Sequence, residues 1–112
     1  MMKIKTERLY IRPFVESDLE DTYEIYSNKD VCEFLLEEAW DKTTKEVEFN
    51  KKLDNTELRE DSALSLAVLL NEKVIGDISV WYTGMKQTVE IGFVFNPKFA
   101  KKGYAKESVI AV

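Results

Sequence analysis

The sequence contains no histidine and a single cysteine, Cys32, among its 112 residues. Without histidine, the chain alone cannot supply a Ser-His-Asp or Cys-His catalytic group, a His-ligated zinc site or an imidazole pH switch. One cysteine forms neither an internal disulfide nor a cysteine-rich metal cluster, so we expect a cytoplasmic protein with no metal site. An enzyme with this composition must use carboxylates, lysines, hydroxyls, backbone amides or a bound cofactor.

Glycine and proline are also scarce, at four and two residues, while 45% of the residues are hydrophobic and 33% are charged. This composition is typical of a globular domain and argues against a disordered or collagen-like chain. The longest apolar run, residues 63–70, is far shorter than the ~20 residues that span a bilayer. We therefore expect one domain over residues 1–112 and no membrane partner.

Charge is distributed unevenly along the chain, whose net charge is −5. Residues 1–95 carry 12 basic and 20 acidic side chains, whereas residues 96–112 carry four lysines and one glutamate. The acidic bulk would repel a nucleic-acid backbone, so no nucleic-acid partner is expected. The basic C-terminal segment could still hold a small anion.

The hydrophobic pattern predicts an α+β fold with antiparallel strands at residues 5–14, 63–70, 74–82 and 88–95. Helices are predicted over about residues 18–27, 44–58 and 104–112, with a short helical turn near 31–35. Two sequences with capping-box spacing, Ser17–Glu20 and Thr43–Glu46, are expected to start the first two helices. The apolar run 63–70 predicts a central strand covered on both faces.

Residues 90–108, EIGFVFNPKFAKKGYAKES, combine a strand, a basic loop containing Gly103 and the start of a helix. The unpaired amides at a helix N-terminus bind phosphate oxygens, and a glycine lets the anion approach closely. Lysines add attraction from the rim. The pattern predicts a phosphate or pyrophosphate site at residues 101–106, although most such glycine turns only connect two elements.

The same segment resembles the acetyl-CoA-binding core of the GNAT superfamily of N-acetyltransferases, through EIGFVFNP at 90–97 and KKGYAKE at 101–107. It is most similar to the branch that acetylates the N-termini of ribosomal proteins. The opening TERLYIRP at 6–13 and the strand containing Gly76 extend the similarity over nearly the whole chain. The family loop begins with Gln or Arg, whereas this chain has Ala100, and Lys101 and Lys102 could compensate.

The resemblance implies a layered αβα fold that transfers acetyl from acetyl-CoA to a primary amine, on a protein N-terminus or a small molecule. It implies that main-chain groups of the strand and loop bind the cofactor. The cofactor-binding candidates are Phe93, Val94, Phe95, Lys101, Lys102, Gly103, Tyr104, Ala105 and Lys106. Glu90 starts the strand that faces the ligand and is the candidate base that accepts the amine proton.

Each of these candidates also has a structural alternative. Glu90 could pair with a neighbour, and Phe93, Phe95 and Tyr104 could be core residues. Trp40, beside Glu37 and Glu38, could line an acceptor cleft, or the two acids could be a solvated face. As alternatives to the enzyme, the chain could be a CoA- or nucleotide-binding module without catalysis, or an interaction fragment.

Family members continue after the helix at 104–112 with a further strand, a helix and a hairpin. The resemblance therefore implies that residues 1–112 are an incomplete domain with the C-terminal strands and helix of the fold missing. Strand 88–95 would then be an unpaired edge, and such edges recruit other chains. A homodimer through strand 88–95 is a further expectation.

Overall fold

The computed structural model describes residues 3–35, 38–56, 58, 63–83, 88–99 and 102–112. Within these residues the helices and strands are β1 (Ile4–Lys5), β2 (Tyr10–Pro13), α1 (Leu19–Tyr26), α2 (Lys29–Leu35), α3 (Lys45–Asp54), β3 (Leu64–Leu70), β4 (Lys73–Tyr82), β5 (Val89–Phe95) and α4 (Tyr104–Ala111). The strands form one antiparallel sheet of five, in the order β1-β2-β3-β4-β5. The α+β prediction is confirmed.

The sheet is buried on both faces at its centre. Residues of β3 alternate between two hydrophobic clusters, with Leu66 and Val68 on one side and Ala67 and Leu69 on the other. This arrangement explains why β3 is a continuous apolar run, as predicted. A tight turn joins β3 to β4, with left-handed backbone at Asn71 and Glu72.

Helices cover the two faces unequally. α1, α2 and α3 lie on one face, where Ile25, Tyr26 and Phe49 pack against Ala67 and its neighbours. α4 packs on the other face through Tyr104 and Ala111. α4 is therefore anchored to the sheet at both of its ends.

The N-terminal strand predicted at 5–14 is wrong in one respect, because it consists of two short strands. β1 folds back on β2, with Ile4 opposite Ile11. The turn between them is closed by Thr6, whose amide donates to the Leu9 carbonyl at 2.9 Å while its hydroxyl accepts the Leu9 amide at 3.0 Å. The hydroxyl of Thr6 thus stabilises a reversal that the alternating pattern does not reveal.

Neither predicted capping box forms with the expected residues. At α1, Asp18 rather than Ser17 is the N-cap, and its carboxylate accepts the Val15 amide at 2.9 Å and the Arg12 guanidinium at 2.7 and 3.0 Å. The hydrogen bond from Arg12 to Asp18 raises the pKa of the guanidinium. The start of α1 is therefore tied to β2 instead of being capped within its own turn.

α3 begins where the prediction of 44–58 places it but ends earlier, and its first turn is preceded by a different pair of bonded residues. Thr44 is the N-cap, and the reciprocal pair lies in the turn before the helix, where Asp41 accepts the Thr44 amide at 2.9 Å and donates its own amide to the Thr44 hydroxyl at 3.0 Å. The helix ends at Asp54, because Asn55 leaves the helical region and its carbonyl accepts the Ser65 amide at 2.8 Å. Tertiary bonding to β3 thus replaces another turn of helix.

β5 lies at one edge of the sheet and pairs with β4 alone among the described residues. Its outward residues Ile91 and Phe93 are 40% and 54% exposed. Association of two copies along β5 stays a prediction. Of the helices that the structure describes, none is both long and apolar enough to span a membrane.

Gly76 of β4 leaves space for the ring of Phe95, its partner on β5, and this contact can be tested. A Cβ atom at Gly76 would lie 2.5 Å from Cε2 of Phe95, too close for any real side-chain contact. We expect Gly76→Ala to lower the free energy of unfolding by about 1–3 kcal/mol, because the ring of Phe95 must move. Chemical denaturation followed by circular dichroism measures this change.

The matched control places the same substitution in a Phe95→Leu background, where no ring opposes the new methyl group. There Gly76→Ala should have little effect on stability, or increase it slightly because alanine is favoured over glycine within a strand. An equal loss of stability in both backgrounds would contradict the proposed contact.

Candidate functional site

The N-terminus of α4 presents backbone amides that the fold leaves open. Gly103 precedes the helix with φ of 79°, a left-handed conformation that favours glycine. The Glu107 amide donates to the Gly103 carbonyl at 3.0 Å, and the N-cap residue Gly103 has no side chain with which to cap the helix. Within the described ranges, the amides of Tyr104, Ala105 and Lys106 donate to no loop carbonyl or side chain, as helix geometry requires of the first turn.

Arg8 clamps this turn from the opposite end of the chain. Its guanidinium donates to the Lys102 carbonyl at 3.0 Å and to the Glu107 carboxylate at 2.7 Å. It also lies 4.5 Å from the centroid of the Tyr104 ring. Because these contacts hold both sides of Gly103, the turn and the first residues of α4 are fixed to the segment between β1 and β2.

Glu107 is the partner of Arg8 in this contact, and the two residues together are called the clamp. Its carboxylate accepts hydrogen bonds from the Thr6 hydroxyl and from the Arg8 amide, the latter at 3.1 Å. The hydrogen bonds from Thr6 and Arg8 lower the pKa of Glu107, so the group is ionised at neutral pH. Since the pKa is lowered in the folded state, this contribution to stability is present at neutral pH and is lost as the pH falls through that pKa.

An apolar pocket of about 580 Å³ opens beside the first turn of α4. β5, the segment after it, α2 and α4 all contribute walls. The lining residues are Asp30, Val31, Leu35, Phe93, Val94, Phe95, Pro97, Phe99, Gly103, Tyr104, Ala105 and Lys106. Hydrophobic side chains thus meet a set of backbone donors, which suits a ligand with an apolar arm and an anionic group.

A second, polar pocket of about 440 Å³ lies on the face of the sheet that carries α1 and α3. It shares Leu35, Phe93 and Val94 with the apolar pocket, so the two adjoin along β5. Asp77 of β4 and Lys52 of α3 form an ion pair in its wall. A ligand extending along β5 from the first pocket would therefore reach the second.

The structure brings together most of the residues that the sequence proposed. Around the apolar pocket lie Phe93, Val94, Phe95, Gly103, Tyr104, Ala105 and Lys106. Lys102 is next to them, but it contributes a carbonyl to Arg8 and does not line that pocket. Lys101 lies outside the described residues.

Glu90 is separate from this group. It is exposed on β5, directly opposite Trp81 of β4, and it lines neither pocket. Trp40, by contrast, is buried, stacks on Tyr26 at 4.6 Å between ring centroids and lines the polar pocket. Glu37 lies outside the described residues.

Sequence reasoning missed three contributors to these sites: Arg8, Asp77 and Lys52. Arg8 contacts residues 94 and 99 positions away, a pairing that no local pattern shows. Asp77 does leave a signal, since it is an acid within the apolar strand β4. A charged side chain that is buried in a strand normally pairs with another group or has a functional role.

The family model of the acetyltransferase (GNAT) domain matches residues 8–112. A curated Bacillus subtilis (strain 168) protein, the uncharacterized N-acetyltransferase YnaD, is 33% identical over 113 residues, covering 99% of this chain and 63% of the relative. The crystal structure of a GNAT-family acetyltransferase from Bacillus anthracis superposes with a TM-score of 0.81 at 33% identity, covering 98% of this chain and 63% of that one.

More distant structures share the fold alone. Spermidine N-acetyltransferase from Vibrio cholerae, solved with CoA and spermine, has a TM-score of 0.70 at 18% identity over 93% of this chain and 60% of its own. This chain thus spans less than two thirds of the length of these relatives. With a family match from residue 8 to residue 112 and a third of its residues shared with YnaD, the chain belongs to the GNAT family of acetyltransferases.

Proposed function

We propose that this chain binds acetyl-CoA and belongs to an N-acetyltransferase that acts on a primary amine, carried by a protein N-terminus or by a small molecule. The observation that carries the proposal is the open amide turn at Gly103, which adjoins an apolar pocket. Membership of the family supports it. So does the Vibrio cholerae relative, which was solved with CoA and spermine.

The first turn of α4 would hold the diphosphate of CoA. The amides of Tyr104, Ala105 and Lys106 precede the first intrahelical bond, and the positive end of the helix dipole adds to their attraction. Lys102 and Lys106 are exposed and would screen the remaining phosphate charge from the rim; Lys101 is proposed for the same role. The clamp through Arg8 keeps this turn in place before the ligand arrives.

β5 would guide the pantetheine arm of the cofactor. Phe93, Val94 and Phe95 line the apolar pocket, and within the described part of the chain β5 pairs on one side only. Its other edge therefore offers backbone groups to the amides of the arm. When bound, acetyl-CoA supplies the thioester whose acetyl group is transferred.

The junction of the two pockets is the proposed place of reaction. Leu35, Phe93 and Val94 border both pockets, so a thioester at the end of the arm would meet an amine entering from the polar side. A main-chain amide of 93–95 would polarise the thioester carbonyl. Alignment of the amine and thioester would provide much of the rate enhancement.

Glu90 remains the proposed base for the amine proton. It precedes Gly92, which lines the polar pocket, by two residues along β5. Its exposed position outside both pockets favours a second candidate function, a CoA-binding module without catalysis. The last of the tests below separates the two.

A first test concerns the phosphate turn. Gly103→Glu adds a negative charge where the diphosphate would bind, and we expect it to weaken CoA binding by at least about tenfold, or 1.4 kcal/mol. Isothermal titration calorimetry with CoA and dephospho-CoA, which both carry the diphosphate, measures the change. Pantetheine, which lacks it, should bind much more weakly to the unaltered chain.

The control for this test is Gly103→Ala. Its Cβ would lie 3.4 Å from the Arg8 guanidinium, an ordinary contact, but it imposes roughly 1–2 kcal/mol of left-handed backbone strain. Alanine should therefore reduce affinity less than glutamate. Unchanged CoA affinity in Gly103→Glu would remove the basis for the diphosphate site.

A second test concerns the clamp. Arg8→Ala removes the guanidinium contacts with the Lys102 carbonyl and the Glu107 carboxylate, so we expect CoA affinity to fall about three- to tenfold as the turn loosens. Lys5→Ala, which removes an exposed cation from the same hairpin, should change it by less than about twofold. If both variants lose the same CoA affinity, the loss is due to net charge and not to the clamp.

A third test concerns Glu90 and uses release of CoA thiol from acetyl-CoA with a primary amine as acceptor. Glu90→Gln should lower kcat by about 10²-fold or more, with little change in the KM for acetyl-CoA, if Glu90 accepts the amine proton. Glu72→Gln, at the exposed β3–β4 turn, is the matched control. Acetyl-CoA binding without any amine-dependent thiol release would instead support the non-catalytic module.

A further inference from the structure

Glu24 joins α1 to the segment that follows β5. Its carboxylate accepts a hydrogen bond from the side-chain amide of Asn96, and the Lys73 ammonium group lies 3.2 Å from the same carboxylate. Burial acts to raise the pKa of Glu24, but the hydrogen bonds from Lys73 and Asn96 lower it overall, so the group is ionised at neutral pH. Asn96 therefore donates to a charged acceptor, which makes a stronger hydrogen bond than a neutral one.

Asn96 organises the turn that comes after β5. It is buried, at 3% exposure, and its backbone amide donates to the Ile75 carbonyl at 2.8 Å. Its own carbonyl accepts the Phe99 amide at 2.9 Å, and its Oδ1 accepts the Lys98 amide at 3.0 Å. These bonds fix the short 3-10 turn Pro97–Phe99, which supplies two of the residues that line the apolar pocket.

α1 also leads directly to a second wall of the same pocket. Only Ser27 and Asn28 separate α1 from α2. The Asn28 side chain accepts the amides of Asp30 and Val31 at 2.9 and 3.2 Å, which ties the start of α2 to this link. Asp30, Val31 and Leu35 of α2 line the apolar pocket. The position of this wall therefore depends on the position of α1.

We propose that Glu24 is a positioning residue that sets the width of the apolar pocket. Through Asn96 it ties α1, and with it the α2 wall, to the wall formed by the Pro97–Phe99 turn. A ligand arm that enters the pocket then finds both walls already in place and does not have to order them on binding. That this arm is the pantetheine of CoA rests on the proposed function, but the connection between the two walls does not.

The connection can be tested without a ligand, by amide hydrogen exchange. Glu24→Ala removes the acceptor of the Asn96 side chain, so the Lys98 amide, which donates to Asn96, should exchange about threefold faster or more. Lys73→Ala removes only the neighbouring ion pair and should change this rate by less than about twofold. An unchanged rate in Glu24→Ala, or an equal acceleration at Lys98 and throughout β3, would overturn the proposal.

Titrations with CoA and with adenosine 5′-diphosphate, followed by two-dimensional amide spectra, test the effect on the arm. The second ligand carries the diphosphate without the arm. Glu24→Ala should weaken CoA binding about three- to tenfold and binding of the diphosphate by less than about twofold. A purely structural role would weaken both alike, so equal losses, or no loss of CoA affinity, would contradict the inference.

Two further variants identify the bond responsible. Glu24→Gln keeps an oxygen acceptor for Asn96 and should bind CoA within about twofold of the unaltered chain. In an Asn96→Ala background, Glu24→Ala should have little further effect on CoA affinity, because the two residues act through one contact. A CoA affinity in Glu24→Gln as low as in Glu24→Ala would assign the effect to charge and refute the role of Asn96.

The results keep this inference separate from the proposed function. CoA binding that Glu24→Ala leaves unchanged would refute this inference alone. If the unaltered chain binds no CoA, the proposed function is refuted, and hydrogen exchange at Lys98 still decides if the two walls are connected. Circular dichroism identifies any variant that does not fold, and the comparison of alanine with glutamine at the partly exposed position of Glu24 decides if Asn96→Ala is unfolded.

Discussion

The candidate site depends on three backbone amides that the helix itself cannot satisfy. Any α-helix leaves the donors of its first turn without intrahelical acceptors, and here the N-cap residue of α4 is Gly103, which is left-handed and has no side chain with which to cap the helix. Arg8 and Glu107 fix the outer side of the turn, and Tyr104 packs against the sheet. The open amides of the first turn are thus held in place beside an apolar pocket.

The edge strand of the sheet places this turn next to the two pockets. β5 lies at the edge of the sheet, and its residues border both pockets, so one strand connects the N-terminal end of α4 with the buried Asp77 on the other side. Val94 borders both pockets, at the point where they adjoin. The chain belongs to the GNAT family of acetyltransferases.

Local sequence patterns predicted the parts of the fold that local forces determine. β3 follows from a continuous apolar run, and the start of α4 follows from glycine before a helical segment. The predictions were wrong where contacts between distant parts of the chain determine the ends of an element. α3 ends early because the Asn55 carbonyl bonds to β3, and the first strand is divided because the Thr6 hydroxyl closes a turn.

The candidate site shows the same difference between residues that are close in sequence and residues that are distant in sequence. The residues around Gly103 could be proposed because the phosphate-binding pattern is contiguous in sequence. Arg8 could not, since its contacts cross almost the entire chain. Nor could the grouping of Asp77 with Lys52 and Tyr26, which requires α1, α3 and β4 to be packed together. Functional groups that are adjacent in the sequence can be recognised from the sequence alone. Groups that come together from different helices and strands are recognised only in the folded structure.

The most direct measurement for the central claim is a two-dimensional amide spectrum of the isotope-labelled chain recorded during addition of CoA. The account predicts that the amide resonances of Gly103, Tyr104, Ala105 and Lys106 move most, and that pantetheine without the diphosphate leaves them nearly in place. If CoA binds while these four resonances stay unmoved and others shift instead, the diphosphate is held elsewhere and the account is wrong.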